Sequence, residues 1–370
     1  LVAAETRQAA YEAAALVEVA LDPLPALLDP ETALDADAPQ VHPGGNLICR
    51  YVNRRGDAIS ALQAAPHVME RTFTTQRVQH AALETEACVA TYDAVAGTAV
   101  VYCPVNSPFA IRKVVADTLG CPLNKVRVIL PAIGGSFGGK NYDIAVAASR
   151  AALAASLTGR PCRIVLDREE SIREGTKRHP LRARYKAGFD DAGRLLALTA
   201  DLLLDGGAYK IKSFPVAGRM ALEAAGPYVV PQIHVEARCV FTNSVPSDAL
   251  RGFGSPQVDF CSESLMEDIA ACLGLDPLEV RRRNMLREGD TSAFGQRMEE
   301  VTLDQCLATL EREADIAGKR RAFEQFNAQS PEIKKGIGLA LLFRGESFGA
   351  AGQGNDTANG AVSIQPDGSV

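Results

Sequence analysis

The chain has no apolar run near the roughly 18 residues of a membrane span, no CxxC pair among nine cysteines, and no excess of basic charge. The first absence excludes a spanning helix. The second removes zinc and iron–sulfur sites of the usual spacing, so a cluster serving this protein would sit on another chain. The cysteines, at 49, 88, 103, 121, 162, 239, 261, 272 and 306, are scattered in apolar contexts such as VVYCPV and GRPCRIVLD. They read as reduced core residues of a cytoplasmic protein. A net charge of −6 with the signs mixed argues against a nucleic-acid surface over the whole chain. The one basic run, EVRRRNMLRE (279–288), is expected to spread its arginines mostly around a solvated helix face. Solenoid-period repeats are absent. So are an initial Met and a signal-like basic start, and the closing GAVSIQPDGSV reads as a strand that wants a partner. Both ends look cut, and the expectation is a piece of a longer polypeptide.

What is present is globular. With 370 residues, 47% of them hydrophobic, the chain can bury a core as two domains or one large one. An amphipathic helix and a strand-like run open it, and a Pro/Asp/Ala-rich linker follows. Strands are expected near 68–77, 87–93, 97–103, 125–130 and 162–167, with helices over 108–119 and 142–157. A hairpin turns at DDAGR, IHVEARCVFTN reads as a strand, and helices follow near 256–274 and 303–329, with Asp276 as an N-cap between them. From about 335 new strands begin, GIGLALLF and AVSIQP. The fold class expected is α+β.

The stretch RVILPAIGGSFGGKNYDIAVAASRAALAA (127–155) poses the chemical question. Gly134 to Lys140 fits GxxxxGK, the loop that cradles phosphates in nucleotide hydrolases, between a strand and a helix. The next residue should be a metal-holding Ser or Thr and is Asn141. The strand in RIVLDREE ends in Asp167, which would complete a nucleotide site, although a helix N-terminal charge cluster of Asp167, Arg168 and Glu169 is the simpler reading. Bulky Phe137 also sits where a nucleotide loop needs nothing large. A second turn, Arg251, Gly252, Phe253 and Gly254, runs straight into a helix, suiting an oxyanion or metal–oxo group. Its phenylalanine suits an apolar, ring-shaped substrate. His80 and His179 read as structural hydrogen-bonders.

At these residues the sequence resembles the molybdopterin-binding large subunit of the xanthine dehydrogenase and aldehyde oxidase family. LDPLPALLDPETAL, NRRGD, QHAALETEACVA, GGSFGGK, LDREESIREGTKRHP, LLDGGAY, ALRGFGSPQ and VRRRNMLREGD follow in the family's order across nearly the whole chain. The resemblance implies that 1–25 is the tail of an α/β hammerhead domain and 26–58 a linker. Residues 59–332 would be the first molybdopterin-binding domain, and 333–370 the start of the second. It implies oxidative hydroxylation of an N-heteroaromatic compound or aldehyde with water as oxygen source. Electrons would pass to 2Fe-2S and FAD partner subunits, the whole complex being a dimer. The cofactor would be molybdopterin in its cytosine dinucleotide form, with no side-chain ligand to the molybdenum.

By the same resemblance, Gln79, Gly135, Phe137, Gly138, Arg251 and Gly252 would lie around the cofactor. Asn141, Arg219, Phe253 and Phe348 would face the substrate. The family's glutamine falls where this chain has Val78, so Gln79 is its adjacent substitute. Purine-oxidising members have Glu where Asn141 stands, and an amide cannot share a proton with a ring nitrogen as a carboxylate does. Arg219, nine residues before Tyr228, would hold a substrate carbonyl or carboxylate; a surface or capping role is the alternative. The family's general-base glutamate has no counterpart through residue 370, so this stretch alone is expected to be inactive. A nucleotide hydrolase and a non-catalytic scaffold of the same fold are the other readings.

Overall fold

The structure is a computed structural model that describes residues 1–344; Phe348 and AVSIQP lie outside them. Helix α1 (Arg7–Ala15) starts at Thr6, whose hydroxyl accepts the Ala9 N–H, and it buries none of its residues. The alternating run after it forms no strand, and Leu16, Val17, Val19, Leu21 and Leu24 remain exposed. Extended chain becomes a strand only where a neighbouring backbone answers its N–H and C=O groups, and among the described residues none does so for this run.

Residues within the stretch read as a linker form β1 (Leu47–Arg55), followed by α2 (Ala58–Ala64) and β2 (His67–Thr75). Next come β3 (Ala87–Asp93), β4 (Thr98–Tyr102), α3 (Pro108–Leu119), β5 (Val126–Ile129), α4 (Tyr142–Thr158), β6 (Cys162–Val165) and α5 (Arg168–Glu174). Beyond lie β7 (Leu181–Phe189), β8 (Leu195–Gly207), α6 (Ser213–Glu223), β9 (Gln232–Phe241), α7 (Ser255–Leu273) and α8 (Pro277–Asn284). The last are α9 (Leu303–Ala314) and α10 (Ile316–Gln329), broken apart at Asp315 with φ +44°.

Among the described residues these strands make two mixed sheets. One runs β1-β9-β8-β7-β2, the other β5-β4-β3-β6. Each has one parallel pair, β8 with β9 and β4 with β5, joined by the crossover helices α6 and α3. The β7–β8 hairpin pairs Leu181 with Leu204 at its far end and turns at the predicted DDAGR. A core of β7, β8, β9, α6 and α7 residues backs the larger sheet. The smaller sheet packs on α3 and α4, where Ala145, Ala148, Ala151, Ala152 and Ala155 let α4 approach closely. Alanine also costs a helix the least conformational freedom.

Three more sequence expectations change. The arginines of 279–288 are not all solvated: Arg281 is 1% exposed and donates to Glu263 (2.8 Å) and Glu267 (2.9 Å) of α7. A guanidinium is kept inside only when carboxylates answer it. Cys272 and Cys306 are exposed thiols and not core residues. Residues 336–343 form no strand; the buried Leu341 gives its N–H to Glu263 (3.0 Å) in place of a ladder.

Candidate active site

The loops leaving both sheets meet in one seam. Lys177 bridges to Gln79 and to Ser247, Arg178 N–H donates to Val78 C=O (2.9 Å), and Asp248 N–H donates to Lys177 C=O (2.9 Å). The two glycine turns of the sequence lie here side by side. The Arg251 N–H donates to the Phe137 carbonyl at 2.9 Å. Gly138 has φ +101°, and a Cβ there would stand 2.5 Å from the Ala249 carbonyl oxygen, so glycine lets the turns touch.

The first turn is held from beneath by Glu84. Its carboxylate accepts the Gly134 N–H (2.7 Å) and is ion-paired with Lys140, which is 1% exposed. Burial opposes ionisation of Glu84, but Lys140 and the Gly134 N–H hold its carboxyl below the ordinary value. Ser136 accepts from Asn106 (2.7 Å) and from the Lys140 N–H (3.3 Å). The lysine of GxxxxGK is therefore a structural bolt, unlike a phosphate-facing one. Asp167 is likewise spent as the N-cap of α5, in a reciprocal capping box with Glu170. These two placements remove the nucleotide-hydrolase reading.

Above the bolt, the N–H groups of Gly135, Ser136, Phe137 and Gly138 meet no acceptor among the described residues, and neither does that of Gly252. Unpaired amides held in succession suit an electronegative group. Phe137 and Phe253 both adopt left-handed backbone, φ +52° and +54°. That conformation costs a residue with a Cβ roughly 1–2 kcal/mol, and here it aims one aromatic from each turn. Phe253 leads through Gly254, the N-cap, into α7 as the sequence predicts.

Arg219 is neither a surface nor a capping residue. It is buried on α6, donates to Glu223 (2.7 Å) and lies with its Cζ 6.0 Å from the Phe253 ring centroid. Ser255, in the first turn of α7, donates in turn to Glu223. Asn141 starts α4 and turns its amide N–H toward the Gly138 carbonyl (3.3 Å), leaving Oδ1 buried without a partner. Gln79 is set apart: its amide donates to the Ser171 carbonyl (3.2 Å) at α5, and its Oε1 is buried and unanswered.

His80 reaches the Ala249 carbonyl at 2.7 Å, so Nε2 carries the proton; burial pushes its pKa down. His179, wholly buried against Ser213 (2.9 Å), is pushed down to about 3 by desolvation. Both are structural. Sequence reasoning assigns no role to Glu84, Glu223, Asp143 or Asp248. Burial pushes the Asp143 carboxyl up to about 7 and that of Asp248 to about 6. Among the described residues no group of three or more His, Cys, Asp or Glu is arranged to ligate a metal.

Two touching glycine turns, each carrying an exposed or half-buried phenylalanine, thus present unpaired backbone N–H groups beside two aromatic rings. Residues 41–285 match the family model described as molybdopterin cofactor-binding domain. The chain belongs to the xanthine dehydrogenase and aldehyde oxidase family of molybdopterin-binding subunits. It is 33% identical over 369 residues to a probable xanthine dehydrogenase subunit of Bacillus subtilis, covering 48% of that protein. It is 34% identical to the nicotinate dehydrogenase large molybdopterin subunit of Eubacterium barkeri, over 88% of this chain and 75% of that one. Its fold matches quinoline 2-oxidoreductase from Pseudomonas putida 86 with a TM-score of 0.81 and 29% identity, over 88% of this chain and 42% of that one. The chain thus spans about half the length of the Bacillus relative.

Proposed function

We propose that this chain forms part of the molybdopterin-binding subunit of a molybdenum-dependent hydroxylase acting on an N-heteroaromatic compound or an aldehyde. The observation that carries the reading is the run of four unpaired N–H groups, Gly135 to Gly138, fastened to the second turn through the Phe137 carbonyl. The residues fit the group: unpaired backbone donors answer its oxygen ligands, and Gly252 adds a donor from the other side. When bound, molybdopterin supplies two-electron oxidation of a substrate carbon with water as the oxygen source. The chain's part is orientation. Phe253 takes one face of a planar substrate, with offset or edge contact favoured over a direct sandwich. Arg219 steadies that ring from beneath, and its charge is shared with Glu223, which suits it to a neutral carbonyl dipole better than to a carboxylate. Asn141 lies beside the first turn and can hydrogen-bond but not exchange a proton with a ring nitrogen.

The names of the Eubacterium and Pseudomonas relatives support nitrogen heterocycles as the first substrates to test. The reading further includes the cytosine dinucleotide form of the cofactor, iron–sulfur and FAD partner subunits, a dimeric complex, and a cytoplasmic location that nine free thiols support. Residues 1–25 would belong to a preceding domain, 26–58 would connect it and donate β1, 59–332 would form the first cofactor-binding domain, and 333 onward would begin the next. The experiment is metal analysis of the full-length protein purified with its associated subunits, followed by turnover of nicotinate, quinoline and aldehydes with a dye acceptor. Molybdenum together with iron is expected. An intact, folded complex without molybdenum overturns the proposal.

A further inference from the structure

The second glycine turn leaves one peptide free to face either way. The Leu250 carbonyl accepts the Phe253 N–H (2.7 Å), and Gly252, third of the four residues so closed, has φ +97°. That is the pattern of a type II β-turn. Types I and II differ mainly by a half rotation of the central peptide, which here joins Arg251 to Gly252. Glycine accepts either sign of φ, so the turn itself does little to fix the direction of that peptide. The peptide is trans, and its C=O and N–H therefore point to opposite sides.

Arg178 holds one of those sides. Its Nη2 donates to the Arg251 carbonyl (2.9 Å) and its Nη1 to Gln257 Oε1 (3.1 Å). Gln257, in the first turn of α7, gives its own amide to the His179 carbonyl (3.2 Å), which closes the loop of bonds. Neither acceptor of Arg178 is charged. Arg77, Arg219, Arg238 and Arg281 each meet a carboxylate, but Arg178 meets none among the described residues. Burial pulls its pKa down, and no neighbouring carboxylate raises it again. A guanidinium keeps its proton even so. A charged donor makes a bond roughly twice as strong as a neutral one, and linked hydrogen bonds polarise one another by roughly 10–30% each. The N–H at the far end of the same peptide, that of Gly252, is thus both aimed and strengthened.

We infer that Arg178 is a positioning residue of the glycine-turn site: by holding the Arg251 carbonyl it turns the Gly252 N–H to the opposite side as a polarised donor for an electronegative oxygen group. Arg178 acts through that peptide and not by touching the group. The inference rests on the proposed molybdopterin reading, in which the Gly252 N–H meets the cofactor's oxygen ligands.

The test compares Arg178→Met and Arg178→Lys with the wild type, in the full-length protein with its associated subunits. Molybdenum per protein is measured by mass spectrometry, and the g-values of its electron paramagnetic resonance signal are read after partial reduction. In Arg178→Met the metal content should fall at least threefold, and what remains should show shifted g-values, because one donor has turned away. Arg178→Lys keeps a charged donor and should recover at least half of the metal with the wild-type g-values. Arg178→Gln keeps a neutral donor and serves should the methionine variant fail to fold; its shift should have the same sign and a smaller size. Loss of metal with unchanged g-values means a structural role alone and overturns the inference. So does full metal content with wild-type g-values in Arg178→Met, or a lysine variant no better than methionine. A wild-type complex without molybdenum overturns the cofactor reading and this inference together, whereas the preceding outcomes leave that reading standing.

Discussion

Replacing Lys140 by Met in the full-length protein tests whether the glycine loop is bolted from below. Lys140 is 1% exposed and its ammonium is ion-paired with Glu84, whose side chain keeps 36% of its exposure. Breaking a fully buried pair costs about 3–5 kcal/mol. Water can reach Glu84, and the Gly134 N–H remains on its carboxylate, so part of that cost is recovered. The net loss should be about 2 kcal/mol, with Tm lower by about 2–3 °C for a chain of this size. Adding Glu84→Gln should restore about 1 kcal/mol, because the orphaned charge is then removed. Urea denaturation followed by circular dichroism gives both values. A change below about 0.5 kcal/mol in the single variant, with loss of magnesium-dependent ATP binding, would refute the bolt and return the lysine to a phosphate.

Gly138→Ala should part the two turns, since its Cβ would stand 2.5 Å from the Ala249 oxygen at φ +101°; molybdenum content should fall severalfold while far-ultraviolet dichroism is kept. Arg281→Met leaves Glu263 buried with only Tyr228 and the Leu341 N–H, and the urea midpoint should drop by the equivalent of about 3 kcal/mol. Asp143, raised by burial from 3.8 to about 7, binds its proton more tightly folded than unfolded. Its stabilising effect is full below about pH 4 and is lost as pH rises to 7, by at most about 4 kcal/mol. Asp143→Asn should remove that decline from a pH series of unfolding midpoints.

The sequence shows an element well where one face of it decides burial. The β7–β8 hairpin alternates cleanly, and α4 and α7 are bounded by glycines in the left-handed conformation. β1 is hidden because both its faces mix apolar and charged residues. In α6, Pro215 and Gly218 read as breakers, yet Pro215 lies in the first turn. Gly218 is small because the Tyr51 ring comes within 3.1 Å of where its Cβ would be. The same limit governs the site. Both glycine turns and their phenylalanines are visible as local pattern. The Glu84–Lys140 bolt joins residues 56 apart, and no periodicity reports which distant carboxylate will answer a lysine. Arg219 and Arg281 are hard to place for that reason, since a buried arginine differs from a solvated one only in its partners.

The hydrogen bond from Arg251 to the Phe137 carbonyl joins loops of two different sheets across more than a hundred residues of chain. Neither sheet alone can present both turns. A prosthetic group gripped by both turns would therefore recognise only the finished fold. By mass action, occupancy at a hundred times Kd would raise the unfolding free energy by about 2.7 kcal/mol. The chain's capacity to hold such a group becomes a gauge of whether its two halves have closed on each other.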